Sequence, residues 1–338
     1  MAKRRVALIG LGMAIKPHIA SWRDLADRAE IAACYSPSAE RRAKFTQDYG
    51  YATTGDLAGI LADSTITAVS ILTPPWAHLD LTRQCAEAGK HVLLEKPVEA
   101  TTARAVEAVE ACERAGVQLG IVFQHRFRPG AVRLTELVKD GRLGRLLSAS
   151  ASVRWWRGPD YFAQPGRGMK ARDGGGVLLT QAIHTLDLFL SLTGPAARVA
   201  GFTGNSGLRR IDTEDVVAGA VQFASGAMGV IDATTTAYPG HAERIELAGE
   251  NGSAVLETGK LTAWLKDGST VEAGEVGSGG GGADPMAYSH EPHRALIADF
   301  LDAIDQGRAP RANGRTSLHV HRLIDALLAT NGQAVAVG

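Results

Sequence analysis

The sequence has few cysteines and no long apolar run, features that mark disulfide-rich and membrane proteins. It holds three cysteines in 338 residues, Cys34, Cys85 and Cys112, and no two of them have CxxC spacing. This excludes a disulfide framework and indicates small buried thiols in a reducing compartment. No apolar signal region with a cleavage site follows Met1, and no uninterrupted apolar run approaches the roughly 18 residues that span a bilayer. We therefore expect a cytoplasmic protein that has no membrane partner.

The chain also lacks an excess of charge. Lys plus Arg and Asp plus Glu each total 36, so the formal net charge is zero. Proteins that bind nucleic acids or membrane surfaces usually carry a basic excess, so we expect neither partner. The length of 338 residues is too great for one typical core and predicts two domains.

A glycine turn follows the first predicted strand, Val6–Ile9, and leads into a predicted helix. Gly10 permits the tight turn, and Gly12 lets the backbone approach a pyrophosphate, which the helix N-terminus favours. Ile15 stands where a dinucleotide fingerprint has its third glycine, which weakens the motif without cancelling it. The alternative is an ordinary strand–helix turn.

The end of the second predicted strand, Ile31–Tyr35, bears on the choice between NAD and NADP. NAD-binding proteins often place a carboxylate there to hold the ribose 2′-hydroxyl. This chain has Ser36, followed by Arg41 and Arg42, and these residues would accept a 2′-phosphate rather than repel it. The pattern favours NADP and leaves NAD open, since both arginines could simply be solvated on the next helix.

Strands and helices alternate up to about Phe123. Six strands with intervening helices predict a doubly wound parallel sheet, and we place this dinucleotide-binding Rossmann domain at residues 1–123. From residue 124 to 338, short strands joined by hairpin turns predict an α+β domain with an open-faced, mainly antiparallel sheet. We interpret the glycine-rich stretch Gly277–Gly282 as a loop rather than a phosphate cradle, because no strand leads into it.

The segment His91–Pro97 reads as a buried strand that carries Glu95 and Lys96 at its carboxyl end. Ligands bind at the carboxyl ends of the strands in open parallel sheets. A lysine there can exchange a proton once burial or a neighbouring cation lowers its pKa. The alternative is a solvated Lys96 that pairs with Glu95.

A predicted apolar helix, Gly174–Gly194, carries a second group of polar residues. Thr180, His184 and Asp187 are spaced four and three residues apart, so they share one face of an α-helix. A histidine on such a helix is more often a satisfied core residue than a functional one. The three glycines that open the helix favour function, because they suit a close approach of the backbone to a ligand.

The stretch that precedes these glycines, residues 154–173, contains five cations and two carboxylates among several aromatic side chains. Aromatic faces suit sugar rings, and the planar fork of arginine matches carboxylate or phosphate. Arg157, Tyr161 and Arg167 therefore predict an anionic, sugar-like substrate. The alternative is a solvated loop whose cations pair with acidic residues elsewhere.

Several of these motifs together resemble the Gfo/Idh/MocA oxidoreductases, the relatives of glucose–fructose oxidoreductase and inositol dehydrogenase. The resemblance covers nearly the whole chain. It is carried by the Gly10/Gly12 turn with His18, by Glu95-Lys96-Pro97, and by the helix with His184 and Asp187.

This resemblance implies hydride transfer between a nicotinamide and a sugar-like alcohol or carbonyl, and an open sheet that mediates oligomers. Lys96 matches the catalytic lysine of the family, His184 matches its active-site histidine, and Pro97 matches a proline that is typically cis. Many relatives carry Asp where this chain has Thr180, so a carboxylate–histidine pair is in doubt. Asp187 could orient the imidazole instead, or it could serve local structure.

The expected function is an NAD(P)-dependent dehydrogenase or reductase of a sugar-like, anionic substrate, in a homodimer or homotetramer. The alternatives are a dehydrogenase of a neutral sugar or inositol and a non-catalytic sensor of dinucleotides. We expect Lys96 and His184 to be catalytic, no metal site, and substrate contacts from Thr180, Gln181, Arg157, Tyr161 and Arg167. We expect cofactor contacts from Gly10, Gly12, Met13, Ala14, Ser36, Arg41, Thr73, Pro74, His78, Glu95, Lys96 and Pro97.

Overall fold

The computed structural model describes residues 3–275 and 289–338, which form two compact units. The first contains the described residues up to Gln124 together with Ser289–Leu318, and the second contains the remainder. The division at residue 123 that we expect from the sequence therefore differs at the C-terminus, where Ser289–Leu318 belongs to the first unit. The predicted loop Gly277–Gly282 lies outside the described residues.

The first unit is built on a six-stranded sheet in which every neighbouring pair of strands is parallel. Its strands are β1 (Arg4–Ile9), β2 (Ala29–Tyr35), β3 (Thr53–Thr54), β4 (Ile66–Ile71), β5 (His91–Leu94) and β6 (Leu119–Ile121). The order β3-β2-β1-β4-β5-β6 is that of a dinucleotide-binding doubly wound sheet, which confirms the predicted fold class. The apolar residues Val6–Ile9 are completely buried because strands of such a sheet are covered on both faces.

Helices cover this sheet. They are α1 (Ile15–Asp24), α2 (Ala39–Tyr49), α3 (Leu57–Ala62), α4 (His78–Glu87), α5 (Thr102–Arg114), α10 (Glu291–Gln306) and the first residues of α11 (Gly314–Ala329). Helix α10 packs on α1, and its Phe300 lies so near β6 that a Cβ atom on Gly120 would come within 3.0 Å of the ring. This packing is why Ser289–Leu318 belongs to the first unit.

The second unit contains a nine-stranded sheet in which β7 and β10 are parallel and the other neighbours are antiparallel. Its strands are β7 (Leu146–Arg154), β8 (Ala196–Gly204), β9 (Val216–Phe223), β10 (Met228–Thr234), β11 (Arg244–Gly249), β12 (Gly252–Glu257), β13 (Lys260–Leu265), β14 (Thr270–Ala273) and β15 (Val335–Ala336). Their order is β14-β13-β12-β11-β7-β10-β9-β8-β15. Six of these strands, β7 to β12, are predicted by strand-like segments of the sequence, and β13, β14 and β15 are missed. The predicted segments are Leu146–Trp156, Arg198–Thr203, Val216–Phe223, Ala227–Thr236, Glu243–Ala248 and Ser253–Glu257.

Helices cover one face of this sheet. The helices of the unit are α6 (Pro129–Lys139), α7 (Pro159–Phe162), α8 (Lys170–Asp173), a π-helical turn (Leu178–Ala182), α9 (Ile183–Thr193) and the later residues of α11. Helix α9 packs on β7 and β11, and α6 packs on β12, β13 and β14. Burial alternates strictly along β9, so the opposite face of the sheet is exposed.

Among the described residues, one helical stretch, Lys170–Thr193, is long and apolar enough to cross a membrane, with a mean hydropathy of 1.3. Of its most apolar window, 83% is buried inside the protein, which is the environment of a central core helix. The burial explains the apolar composition of this stretch.

Candidate active site

The first candidate site lies at the glycine turn after β1. Gly10 has a φ of 103°, and a Cβ atom there would lie 2.9 Å from the Leu72 carbonyl carbon and oxygen, so the turn requires glycine. At Gly12 a Cβ atom would meet no heavy atom within 4 Å, so the space beside this glycine is open. Met13 is exposed, and Ala14, which has no side-chain oxygen, precedes the first residue of α1. The open turn and the uncapped helix start fit a pyrophosphate.

In the loop between β2 and α2 and the first turn of α2, the two arginines predicted to bind a 2′-phosphate have different environments. Arg42 donates hydrogen bonds to the carbonyl oxygens of Ser36 (2.6 Å) and Pro37 (3.1 Å), so it holds the loop itself. Ser38 caps α2 by accepting the Arg41 backbone N–H at 3.2 Å. The Arg41 side chain is exposed, while Ser36 is buried, with 2% of its surface accessible. Arg41 is therefore the arginine that can meet a ligand.

At the carboxyl end of β5, Glu95 holds the segment that carries Lys96. Its Oε1 lies 2.8 Å from His18 Nε2, and its Oε2 accepts the Lys96 backbone N–H at 3.0 Å. Burial alone would raise the pKa of the Glu95 carboxyl, but the hydrogen bond and charge of His18, with the charges of Lys96 and His293, hold it below its ordinary value. Lys96 is half-buried, and the Lys96–Pro97 peptide is cis, as the resemblance implies.

His78 lies behind this segment rather than on its surface. The side chain is fully buried, with Nδ1 at 2.9 Å from the Pro97 carbonyl oxygen and Nε2 at 2.8 Å from the Thr73 carbonyl oxygen. Burial lowers the pKa of its imidazole. The prediction that His78 contacts the cofactor is therefore replaced by a structural role: its buried ring joins the half-buried Thr73 to Pro97. Pro74, by contrast, is exposed.

In the second unit, His184 lies just after the π-helical turn. Its ring is 8% exposed and stacks on His125, with the centroids 4.8 Å apart. Asp187 is buried, and Arg126 Nε and Nη2 donate to its two carboxylate oxygens, each at 2.6 Å. The carboxylate of Asp187 therefore anchors Arg126. Of the two roles that the sequence leaves open for Asp187, this is the one in local structure.

Gly176, the last of the three glycines before this helix, packs against another segment of backbone. A Cβ atom on Gly176 would lie 2.0 Å from the Glu214 carbonyl oxygen, so the close approach is between two segments of backbone. The Glu214 carboxylate also accepts the N–H groups of Gly176 and Leu178, both at 3.1 Å. Burial raises the pKa of this carboxyl. Glu214 therefore fixes the start of the helix that carries His184.

The structure brings together the residues predicted to contact substrate. Gln181 Nε2 donates to the Tyr161 hydroxyl at 3.0 Å, and the Thr180 hydroxyl donates to Gln181 Oε1 and to the Gly176 carbonyl. The Arg157 and Arg167 guanidinium groups lie 5.6 and 5.0 Å from the centroid of the Tyr161 ring. A small cavity adjoins Tyr161, Thr180 and Gln181.

Most cations of this stretch have acidic partners. Arg167 pairs with Asp173 at 3.1 Å, and Arg154 pairs with Asp232 at 2.7 Å. Arg157 is 3% exposed, donates to the Trp156 carbonyl oxygen, and has a pKa lowered by burial. Arg154 pairs with an acidic residue elsewhere in the chain, as the alternative has it, whereas the carboxylate partner of Arg167 lies within the same stretch.

Sequence reasoning missed His125, Arg126 and Glu214. Arg126 and Asp187 are 61 residues apart, and Glu214 follows Gly176 by 38 residues. No local pattern could indicate pairs at such separations.

Two family models match the chain. An NAD-binding Rossmann-fold oxidoreductase model covers residues 4–123, and a GFO/IDH/MocA C-terminal domain model covers residues 131–255. An uncharacterized oxidoreductase of Synechocystis sp. is 30% identical, with 95% of this chain and 92% of the relative covered.

The chain belongs to the Gfo/Idh/MocA family of oxidoreductases.

Two further relatives give this Gfo/Idh/MocA protein a biochemical context. D-apiose dehydrogenase of Paraburkholderia graminis is 28% identical over 97% of this chain and 88% of its own. The WlbA dehydrogenase from Bordetella pertussis, solved in complex with NADH and UDP-GlcNAcA, is 27% identical, with a TM-score of 0.83 and coverage of 100% and 99%. The protein is an NAD(P)-dependent dehydrogenase or reductase, which confirms the predicted enzyme class and cofactor type.

Proposed function

We propose that this enzyme oxidises a secondary alcohol of a neutral, sugar-like substrate, or reduces the matching carbonyl. The observation that carries the proposal is the hydrogen-bonded polar group formed by Thr180, Gln181 and Tyr161. Hydroxyl and amide groups suit the hydroxyls of a sugar, and the flat Tyr161 ring suits a sugar face. The relative D-apiose dehydrogenase, whose name states a sugar substrate, supports the same class.

Bound NAD(P) supplies the acceptor for the hydride that leaves the carbinol carbon. The proton on the alcohol oxygen must leave at the same time, and Lys96 and His184 are the two groups we propose for its transfer. Lys96 stands at the carboxyl end of a parallel strand, where ligands of such sheets bind. His184 is held by its stack on His125 and by the helix that Glu214 fixes. In the reductive direction the same group donates the proton to the oxygen.

An anionic substrate is the second candidate. The WlbA dehydrogenase, solved with UDP-GlcNAcA, supports it, as does the placement of Arg157 and Arg167 on the ring of Tyr161. The pairing of Arg167 with Asp173 weighs against it, because that cation already has a carboxylate. We therefore rank the neutral substrate first.

A homodimer or homotetramer formed through the open face of the second sheet is part of the proposal. Phe202, Met228 and Val230 are between 55% and 69% exposed on that face. Their neighbours across the strands are small, because Val230 lies opposite Ala220 and Ser150, and Phe202 lies opposite Ala218. A flat face of small side chains with a few large apolar ones suits contact with another protein surface.

The test begins with mass spectrometry of ligands that co-purify with the native protein. A matched panel of neutral sugars, inositols, uronic acids and nucleotide sugars is then assayed with both oxidised cofactors. We expect the highest kcat/KM for a neutral sugar or inositol, with little effect of Arg157→Lys or Arg167→Lys beyond stability. A uronic acid or nucleotide sugar as best substrate, with a KM that rises in both arginine variants, would favour the second candidate.

A further inference from the structure

A buried charged cluster lies next to Lys96 in the first unit. It combines His18 from α1, Glu95 from the end of β5 and His293 from α10. The side chain of Glu95 is 12% exposed, and His18 and His293 are 0% and 2% exposed. The ring centroids of His18 and His293 are 5.4 Å apart, with the rings set edge to face.

The hydrogen bonds of Glu95 distinguish this cluster from a metal site. Each of the three side chains offers one possible metal-ligand atom, and these atoms lie within 4.8 Å of one another, a spacing that could admit a cation. Both Glu95 oxygens, however, already have partners, since Oε1 meets His18 and Oε2 accepts the Lys96 N–H. We interpret the cluster as a hydrogen-bonded group that holds Glu95 as a carboxylate beside Lys96.

A buried carboxylate is expensive unless it is hydrogen-bonded and paired. Glu95 meets this condition through His18 on one side and the backbone of Lys96 on the other. Its charge interacts with that of Lys96 and also with His78 on α4. The titratable groups that face Glu95 are therefore His18, His78, Lys96 and His293.

We propose that Glu95, held by His18, is a positioning residue that fixes the Lys96 segment and sets the pH range in which Lys96 exchanges its proton. The inference deepens the proposed function, because it rests on Lys96 as a proton-transfer group. A negative charge beside an ammonium group favours its protonated form. When that charge is removed, the lysine loses its proton more easily, so the pH at which half of the Lys96 ammonium groups are deprotonated falls.

The first variant is Glu95→Gln, which keeps the shape of the side chain and removes its charge. If Lys96 is the base of oxidation, the acid limb of the kcat/KM profile moves to lower pH. If Lys96 is the acid of reduction, the alkaline limb also moves to lower pH. We expect a shift of about one pH unit or more, the usual size for a neighbouring charge.

A chemical readout makes the test independent of turnover. Lys96 is labelled with isotope-coded acetic anhydride over a pH series, and the labelled peptide is quantified by mass spectrometry. The midpoint of labelling should fall in Glu95→Gln by the same amount as the activity limb. The matched control is Asp299→Asn, which removes another buried carboxylate of the first unit, paired there with Arg308 at 2.8 Å. This control should lower stability and leave both midpoints unchanged.

His18 supplies the second pair of variants. His18→Gln retains a side-chain N–H for Glu95, whereas His18→Phe removes it. We expect His18→Phe to lower kcat on the order of tenfold with little change in KM, the effect of a displaced catalytic group. His18→Gln should restore most of that loss.

The outcomes separate this inference from the proposed function. An unchanged labelling midpoint in Glu95→Gln overturns the inference, even if Lys96→Ala is inactive. A lowered midpoint together with a fully active Lys96→Ala supports the charge effect of Glu95 and overturns the catalytic role of Lys96. A lowered midpoint, a shifted activity limb and an inactive Lys96→Ala support both.

Discussion

At the scale of single residues, Gly176 before His184 is explained by packing between two segments of backbone. Gly176 lies against the Glu214 carbonyl, and its N–H is one of two held by the Glu214 carboxylate. The sequence indicates that small residues are needed there, but it cannot tell whether a ligand or another strand comes close. The partner is 38 residues further along the chain.

We expect Gly176→Ala to lower the free energy of unfolding by about 2–4 kcal/mol, because its Cβ atom would overlap a backbone carbonyl that cannot move freely. Urea unfolding measures the change. The control is Gly204→Ala in the same unit, where a Cβ atom meets nothing within 4 Å. Equal stability of the two variants would refute the account of Gly176.

For a second residue, His321, we expect a contribution to the pH dependence of stability. It is 2% exposed, and burial lowers its pKa to about 4. Below pH 6.5 the unfolded chain binds a proton at this site and the folded chain does not until about pH 4, so stability is lost as pH falls through this window. One such group contributes a slope of up to about 1.4 kcal/mol per pH unit.

His321→Gln should flatten the pH dependence of the unfolding free energy by about one proton between pH 6.5 and pH 4. Urea titrations at several pH values measure the slope. His241→Gln, at an exposed position of the same unit, should leave the slope as in the wild type. A slope unchanged by His321→Gln would mean that this imidazole titrates alike in both states.

At the scale of elements, the sequence predicts what has a strong local period or a clear cap. The α5 helix begins after Thr101, which accepts the Arg104 N–H as expected of a cap, and β9 has its predicted bounds of Val216–Phe223. The strand β3 has two residues, too few to show any period. The π-helical turn Leu178–Ala182 also has no local signature, because an apolar run fits it as well as it fits an α-helix.

The β2–α2 loop carries a prediction about the cofactor. Arg41→Ser should raise the Kd for NADPH about tenfold, or 1.4 kcal/mol, and leave NADH nearly unchanged, because Arg41 is the exposed arginine of the loop. Fluorescence titration with both reduced cofactors measures this. Arg42→Ser should weaken both cofactors alike, since Arg42 holds the loop through two carbonyl oxygens. The idea fails if the wild type binds NADH tenfold tighter than NADPH.

At the scale of the whole molecule, the sequence predicts the order of a parallel sheet followed by a mainly antiparallel one. It does not predict that Ser289–Leu318 returns to the first unit, because that return depends on packing of α10 on α1. The exposed face of the second sheet is visible in the alternation along β9, although the pattern alone does not name what covers it.

We expect the wild type to be a dimer or larger, and Val230→Asp to be a monomer, because the new charge would be buried in the proposed interface. Size-exclusion chromatography with light scattering gives the mass at micromolar concentration. Leu328→Asp places the same charge on an exposed apolar residue of α11 and should retain the oligomer. A monomeric wild type would overturn the proposed interface on the open face.

The central claim is that Lys96 transfers a proton during NAD(P)-dependent oxidation of a sugar-like alcohol. Its most direct test compares Lys96→Ala with the wild type, using stopped-flow absorbance of the reduced cofactor and fluorescence titration of cofactor affinity. We predict a kcat lowered on the order of 10²-fold or more with nearly unchanged cofactor affinity, as for other acid–base groups. Full activity in Lys96→Ala would contradict the claim.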